Sequence, residues 1–333
     1  GLPLEAYKDL RVDLMDYLTP QEKEDFGPKV IQRSCNLEGK MYNWPWFVFF
    51  TPWMLGNGDI LQQAGIDPET IQDKGWHWNE FVEICKKTSV SGNYGYGDAE
   101  SSNTIRLMLD GILGPIIKNT DPPTFNWGSK DASDVLAGYR GLIYDDKVMP
   151  KEVLGIDIFG LHQMFIKKQF AMIRSYLAWI PSFEKEGNIS KVHVLPYPKV
   201  NNKEVKVNVN VGGWAVFRQK PSQGDEHLKK VITFMKYISK PIDGQFIPSH
   251  WVGLPPSKSD RDRFLPTMAK DDSNISFIAE VIENGRMEPS GQYRAAGKVD
   301  QIVNTYISEA MSGKLSVVQA VEKWTLEADK VLK

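Results

Sequence analysis

The stretch GKMYNWPWFVFF (residues 39–50) decides how this chain is organised. Its second part, WPWFVFF (residues 44–50), combines apolar, β-branched and aromatic residues over a short run, which is typical of a buried strand. The apolar region continues to Leu55 but contains Pro45 and Pro52. A membrane-spanning helix needs about 20 apolar residues, so we expect a buried strand here and no membrane span.

Helical patterns and short apolar runs alternate after this stretch. Strands are predicted at residues 169–173, 192–195 and 207–217, the last one interrupted by Gly212-Gly213. Helices are predicted where apolar residues recur at helical spacing, as in residues 228–238, 299–310 and 317–328. This alternation predicts an α/β fold.

Length and composition are those of a folded protein with more than one domain. The chain has 333 residues, of which 41% are hydrophobic and 25% are charged, and a domain usually takes about 100–200 residues. Lys and Arg number 40 and Asp and Glu 42, a net charge of −2. Binding to nucleic acid needs a basic surplus, so nucleic acid is not the expected partner. The 10 tryptophans indicate either a deep core or a site that uses flat apolar faces.

Motifs for metal binding, nucleophilic catalysis and phosphate binding are absent from the sequence. The five histidines are scattered, and Cys35 and Cys85 are too far apart for a metal motif, so we expect inert thiols. Residues 291–298 have the wrong spacing for a phosphate loop, and Val299 stands where such a loop needs Ser or Thr. We expect no metal and no cofactor, and an enzyme is left open without support. The first five residues do not have the pattern of a signal peptide.

Several motifs, in order along the chain, resemble the extracytoplasmic solute-binding proteins of ABC sugar importers, the maltose-binding-protein-like group. They are Gly39-Lys40-Met41-Tyr42 with Pro45, Asn57, Ala64-Gly65-Ile66-Asp67, Trp78-Asn79-Glu80-Phe81, Phe170-Ala171-Met172 with Ser175 and Trp179, Val194-Leu195-Pro196 with Pro198, Gly212-Gly213-Trp214-Ala215-Val216, Gly253-Leu254-Pro255-Pro256-Ser257, and Ala310-Met311-Ser312-Gly313-Lys314 with Ser316, Val317 and Ala320. Lys168 departs from the glycine that is usual in this family. The resemblance covers the chain from about residue 20 to its C-terminus, and the order of the motifs is more specific than any one of them.

The resemblance implies an α/β fold of the periplasmic-binding-protein type II, with two lobes, a multi-strand hinge and a ligand cleft between the lobes. Lobe one would comprise residues 1–46 and 214–268, and lobe two residues 50–211 and 270–333. The strands at 45–51 and before Trp214 would cross between the lobes. Compared with the family, about 60–80 residues of the first lobe would be missing at the N-terminus, a large part of a lobe of ordinary domain size.

The function that the resemblance implies is that of a receptor, not an enzyme. The chain would bind a mono- or oligosaccharide, close around it by a hinge motion and deliver it to the permease and ATPase of an ABC importer. It would work as a monomer without a cofactor, in the periplasm or at the cell surface as a lipoprotein.

The expected ligand-binding residues are mostly aromatic, because the C–H face of a sugar packs on a flat ring. Trp179 follows a predicted core strand, and Trp179→Ala is expected to weaken binding ten-fold or more. Trp214 follows Gly212-Gly213, where Gly213 would let a ligand approach the backbone, and Trp44 and Trp46 lie at the other crossing. The expected polar contacts are Asp98, Glu100, Tyr293 and Arg294. Each residue also has a structural interpretation, as a packed ring or a solvated charge, and Trp76, Trp78, Trp127, Trp251 and Trp324 are assigned to packing.

Two alternatives stay open. The same fold could bind a non-sugar solute such as a phosphorylated polyol or a polyamine, which would require clustered arginines or carboxylates. A glycan-acting enzyme would need two carboxylates about 5–10 Å apart.

Overall fold

The computed structural model describes residues 10–37, 39–50, 52–90, 92–118, 120–218, 224–240, 253–268, 272–286 and 296–333. Its helices are α1 (Pro20–Ser34), α2 (Gly58–Gln63), α3 (Pro68–Lys74), α4 (Trp78–Thr88), α5 (Ser101–Leu113), α6 (Lys130–Tyr144), α7 (Ile158–Ile166), α8 (Ile180–Glu186), α9 (Gly224–Ile238), α10 (Lys258–Met268), α11 (Ser273–Asn284), α12 (Ala296–Met311) and α13 (Val317–Leu332). Short 3-10 helices cover Met15–Tyr17, Lys151–Gly155 and Leu177–Trp179.

The strands are β1 (Cys35–Leu37), β2 (Lys40–Met41), β3 (Trp44–Phe49), β4 (Trp53–Asn57), β5 (Tyr94–Gly97), β6 (Ile117–Lys118), β7 (Thr124–Phe125), β8 (Phe170–Ser175), β9 (Val192–Leu195) and β10 (Asn210–Trp214). The order β5-β8-β4-β9 forms a four-stranded sheet, and β1-β2, β3-β10 and β6-β7 form two-stranded ones. In the large sheet β5 runs parallel to β8, whereas β4 is antiparallel to both β8 and β9.

Contacts divide the chain into two compact units. Unit 1 comprises Gly1–Phe50 and Asn208–Gln292, and unit 2 comprises Thr51–Val207 and Tyr293–Lys333. The sequence analysis assigns residues 270–333 to lobe two, but α11 packs against α10 and belongs to unit 1. The observed division therefore differs from the predicted one for this helix. It also differs for Phe50 and residues 208–211, which are predicted in lobe two and belong to unit 1.

The antiparallel pair β3–β10 is the sheet of unit 1 that packs on its core. Trp44 lies opposite Trp214, and Phe49 lies opposite Asn210. Apolar side chains from the segment before α1, from β2 and β3, and from α9 pack together beside this pair. The buried members of that cluster are Val12, Leu14, Leu18, Met41, Trp44, Val216, Ile232 and Met235.

The register of β3 and β10 shifts at Trp46. Gly212 pairs with Phe47 and Gly213 pairs with Pro45, so Trp46 is the extra residue of a bulge. In a regular strand, residues two apart share one face. Trp44 is only 3% exposed and Trp46 is half-buried, and the bulge accounts for this difference between two tryptophans that regular pairing would place alike.

Unit 2 is built around the four-stranded sheet. Every residue of β8 and β9 is buried, and α4, α7 and α3 pack against β5, β8 and β9. Strands covered on both faces are near-continuous apolar runs in the sequence, which is why β8 and β9 are recognisable there.

Three of the tryptophans assigned to packing are buried in unit 2 with hydrogen-bonded indoles. Trp78 is half-buried, and its ring contacts those of Phe81 and Tyr139. The Trp324 Nε1–H donates to the Trp127 carbonyl oxygen at 2.9 Å, and the Trp127 Nε1–H donates to that of Gly114 at 2.9 Å. The Trp76 Nε1–H donates to the carbonyl oxygen of Pro196 at 2.9 Å. These contacts confirm the packing role of the three rings. Trp251 lies outside the described residues.

Candidate functional site

Trp46 and Trp214 form an aromatic pair on the β3–β10 sheet of unit 1. Their ring centroids are 4.9 Å apart, and their planes make an angle of 34°. Trp214 is 36% exposed, and Trp46 also contacts Phe47 edge-on, with centroids 5.5 Å apart. The two tilted rings are in contact, and the exposed part of this pair provides an apolar surface in which each ring restricts the rotation of the other.

Gly213 next to this pair has a packing reason to be glycine. A Cβ atom there would lie 1.8 Å from the backbone oxygen of Trp44, and one on Gly212 would lie 2.3 Å from the ring of Phe47. The two glycines therefore let β10 lie against β3 at the bulge. Ligand approach at Gly213 stays a prediction.

Trp44 belongs to the core of unit 1. Its ring meets Phe26 edge-on at 5.7 Å, and the ammonium of Lys236 lies 4.9 Å from its centroid. Almost all of the surface of Trp44 is covered by these contacts, so packing alone explains why a tryptophan stands at this position. Its contact with a ligand stays a prediction.

A charged cluster in unit 2 is formed by Glu100, Arg174 and Tyr176. Arg174, in β8, is 3% exposed, and its Nη1 donates to Glu100 Oε2 in an ion pair. The Tyr176 hydroxyl donates to the same oxygen at 3.1 Å, and the Arg174 guanidinium lies over the Tyr176 ring at 4.9 Å. Glu100 is thus a partly exposed carboxylate whose position is fixed by two donors.

Asp98 lies behind this cluster and is fully buried. Its carboxylate accepts a hydrogen bond from the Tyr139 hydroxyl and one from the backbone N–H of Glu100 at 2.8 Å. Burial raises the pKa of the Asp98 carboxyl, and the nearby Arg174 acts in the opposite direction. Asp98 is therefore placed to hold the backbone of Glu100, the residue that precedes α5.

Trp179 is placed in a different cluster of unit 2. It is half-buried, and its ring lies 5.7 Å from that of Phe159 and 4.7 Å from that of His162 on α7. His162 is buried against Phe183 and forms a 2.7 Å hydrogen bond with Ser175. These contacts give Trp179 a packing role, and its predicted stacking on a sugar stays a prediction.

Sequence reasoning therefore named Glu100, Asp98, Trp46 and Trp214 but missed Arg174 and Tyr176. An arginine inside an apolar strand was the available signal, because a buried cation requires a partner. The predicted residues Tyr293 and Arg294 lie outside the described residues.

Other reactive groups are few in the described ranges. Cys85 is a buried free thiol, and burial raises its pKa. Among the residues described, no group of three or more His, Cys, Asp or Glu side chains is placed to hold a metal ion. Over the same part of the chain, no helix combines the length and the apolar character that crossing a bilayer requires.

A family model described as bacterial extracellular solute-binding protein matches residues 5–272. Structures with the same fold include a maltose/maltodextrin-binding domain from Bdellovibrio bacteriovorus bound to maltotriose, with 17% identity, a TM-score of 0.75, and coverage of 98% of this chain and 81% of that one. A solute-binding protein from Agrobacterium radiobacter in complex with ribitol has 19% identity, a TM-score of 0.75, and coverage of 98% and 82%. An ABC substrate-binding protein from Listeria monocytogenes in complex with cycloalternan has 16% identity, a TM-score of 0.76, and coverage of 98% and 81%. A search of curated proteins found no match.

At these identities the structural likeness concerns the fold alone. The matches to periplasmic binding proteins confirm the predicted two-lobe α/β class. The proteins matched are binding proteins rather than enzymes.

Proposed function

This chain belongs to the bacterial extracellular solute-binding protein family, and from that premise we propose that it is the carbohydrate receptor of an ABC importer. It captures a sugar or polyol outside the cytoplasm and delivers it to a permease whose ATPase drives import. No covalent step is part of this function.

The observation that carries the proposal is the Trp46–Trp214 pair. A sugar ring has an apolar C–H face and a hydroxylated rim, so it packs on an aromatic plate while polar groups hold its edge. A partly exposed indole that already packs on a second ring is suited to that contact, because less side-chain freedom is lost on binding.

Glu100 supplies the complementary polar group. Its carboxylate is held by Arg174 and Tyr176, so it meets a hydroxyl as a fixed acceptor. Asp98 contributes by positioning Glu100. Trp179, through the exposed part of its indole, and Gly213, Tyr293 and Arg294 complete the proposed contacts.

The same arrangement argues against a glycan-acting enzyme. Of the two predicted carboxylates, Asp98 is fully buried and Glu100 is held in an ion pair. General acid–base cleavage needs both groups to reach the scissile bond. We propose that bound saccharide is released unchanged.

Solved relatives in complex with maltotriose, ribitol and cycloalternan support the class of ligand. We propose that the chain works as a monomer outside the cytoplasm, in the periplasm or held at the cell surface by a lipid anchor.

Titration of tryptophan fluorescence with maltotriose, ribitol and a wider sugar panel tests the proposal. We expect a saturable change with at least one member of the panel, and Trp214→Ala should weaken its binding ten-fold or more, about 1.4 kcal/mol. Phe234→Ala is the control, since Phe234 is an exposed aromatic of unit 1 on α9 outside the Trp46–Trp214 pair. No response to any member of the panel would refute the carbohydrate assignment.

A further inference from the structure

A pocket of about 580 Å³ lies within unit 2. It is lined by the start of α5, by Leu154, by the second half of α12, and by Ser312 and Lys314. Small-molecule sites commonly measure about 300–1,000 Å³, so this pocket is large enough for one. Glu100, the fixed carboxylate of the charged cluster, is part of its wall.

The first feature of the pocket is the Oε1 atom of Glu100, which can accept a further hydrogen bond. Oε2 receives both Arg174 and Tyr176, whereas the hydrogen bond to Oε1 comes from Asn103 Nδ2 at 3.5 Å, the outer limit of such a bond. A carboxylate oxygen accepts more than one hydrogen bond. Oε1 therefore has room for a donor from a ligand.

The second feature is the side chain of Asn304 on α12. Its Oδ1 is buried, and no donor reaches it from the described part of the chain. A buried acceptor without a donor lowers stability, so such a group in a pocket wall calls for an explanation. A ligand that brings a donor to Oδ1 explains it.

The remaining wall favours uncharged hydroxyl groups. Ser102 and Ser308 hydroxyls lie 3.4 Å apart across the pocket wall, and a hydroxyl both donates and accepts, as a sugar hydroxyl does. Glu309 and Lys314 bring opposite charges to the wall. The buried Arg174 is directed at Glu100 and already balances its charge.

We propose that this pocket holds the hydroxyl groups of an uncharged sugar or polyol, with Glu100 Oε1 and Asn304 Oδ1 as acceptors, and that it rejects phosphorylated and carboxylated analogues. The two oxygen acceptors offer no donor to an anionic oxygen. The cations Arg174 and Lys314 are matched by Glu100 and Glu309, so no surplus of positive charge attracts an anion. This inference rests on the proposed function and specifies its ligand class.

Asn304→Ala gives the sharpest test, because its predicted effects on binding and on stability differ in direction. Affinity for the ligand identified in the panel should fall ten-fold or more in isothermal titration calorimetry. The unfolding temperature of the free protein should stay the same or rise, since the variant removes an unpaired buried oxygen and places a better helix former in α12. A residue with a purely structural role would lower the unfolding temperature instead.

Gln301→Ala is the matched control, because Gln301 is an exposed amide one turn earlier on α12 and does not line the pocket. Its affinity should stay within two-fold of the wild type. Matched ligand pairs, ribitol with ribitol 5-phosphate and glucose with glucose 6-phosphate, test the class. We expect the phosphorylated member of whichever pair binds to bind at least ten-fold more weakly.

The outcomes separate this inference from the proposed function. If sugar binds and Trp214→Ala weakens it, while Asn304→Ala changes nothing or the phosphorylated ligand binds as well, the pocket assignment is overturned and the receptor function stands. If no saccharide or polyol binds the wild-type protein, both fail.

Discussion

At the scale of single residues, Arg174 determines what Glu100 can do. Burying a cation without a counter-ion destabilises the fold. Arg174 therefore needs the carboxylate of Glu100 as its counter-ion, whether or not a ligand is bound. The position of the carboxylate follows from a residue 74 places later in the chain. This pairing could not be predicted from the sequence, because nothing near Glu100 marks its partner. The sequence could predict only that a polar loop precedes α5.

His162 is a second residue whose chemistry depends on its surroundings. Its Nε2 shares a hydrogen bond with Ser175, and Nδ1 is buried with no partner in the described ranges. Burial lowers its pKa from 6.5 to about 4, and the nearby Asp157 acts in the opposite direction. The neutral ring is therefore the form that the folded protein holds against Trp179.

This lowered pKa predicts acid sensitivity. The unfolded chain takes up the proton of His162 near pH 6.5 and the folded one only near pH 4, so the free energy of unfolding falls as the pH is lowered through that window. The loss amounts to at most about 3 kcal/mol. Urea unfolding between pH 7 and pH 4, followed by fluorescence, measures it.

His162→Phe is the control for this prediction, because it keeps an aromatic ring and removes the titration. Its stability should depend less on pH in the same window. Asp98 contributes with the opposite sign, since its raised pKa favours the folded state as the pH falls. Parallel curves for the wild type and His162→Phe would show that another group is responsible.

At the scale of elements, the bulge between β3 and β10 brings the rings of Trp46 and Trp214 into contact. Gly212 and Gly213 let the two backbones approach, and the extra residue Trp46 is thereby placed under Trp214. The sequence predicts an interruption of the strand at these glycines, but β10 runs unbroken through them, and what changes there is its pairing register with β3. The sequence could not tell that the close neighbour would be β3, since sequence patterns do not encode pairing partners far along the chain.

Gly213→Ala should destabilise unit 1. Its Cβ would lie 1.8 Å from the Trp44 oxygen, and a backbone atom cannot move aside as a side chain can, so the strands must part. We expect a loss of about 1–3 kcal/mol, as for other overpacked sites, in urea unfolding. Gly297→Ala in α12 is the control. Nothing lies within 4 Å of its Cβ, and alanine in the first turn of a helix should leave stability unchanged or raise it slightly. Equal stability of the two variants would contradict the packing argument.

Elements with strong patterns were predictable, and β5 was not. The predicted strand at 192–195 is β9, and the three predicted C-terminal helices are α9, α12 and α13. The two glycines in the segment YGYG (β5) weaken the sequence pattern of a strand. A Cβ on Gly95 would lie 2.3 Å from the backbone oxygen of Cys85 in α4, so the glycine serves helix-on-strand packing. When a residue is required by a contact with a distant part of the chain, the neighbouring sequence shows no pattern that reveals it.

At the scale of the whole molecule, the family motifs predicted the fold class well and the division of the chain less well. Motifs mark individual elements, but the unit that an element joins depends on which core it covers. Helix α11 was assigned to lobe two on its position after residue 270 and packs in unit 1. The predicted cleft stays a prediction.

A sugar that binds the folded chain and not the unfolded one should stabilise it by mass action. At 100 times the Kd the gain is about 2.7 kcal/mol. Urea unfolding at increasing maltotriose, or at increasing amounts of whichever panel member binds, should show a midpoint that rises with concentration. Trp214→Ala at the same sugar concentration should gain about 1.4 kcal/mol less, matching its ten-fold weaker binding. A midpoint independent of sugar would contradict specific binding.

The pairing of Phe49 with Asn210 and of Trp44 with Trp214 also has a consequence for biosynthesis. A ribosome adds about 5–20 residues per second, so the segment WPWFVF waits about 8–30 seconds before its partner strand has been made. During that time it is an uncharged, aromatic-rich segment without its partner strand, and Pro45 is the residue within it that works against pairing with other chains. Early packing of this segment against the residues around α1 would cover its apolar side chains until β10 emerges.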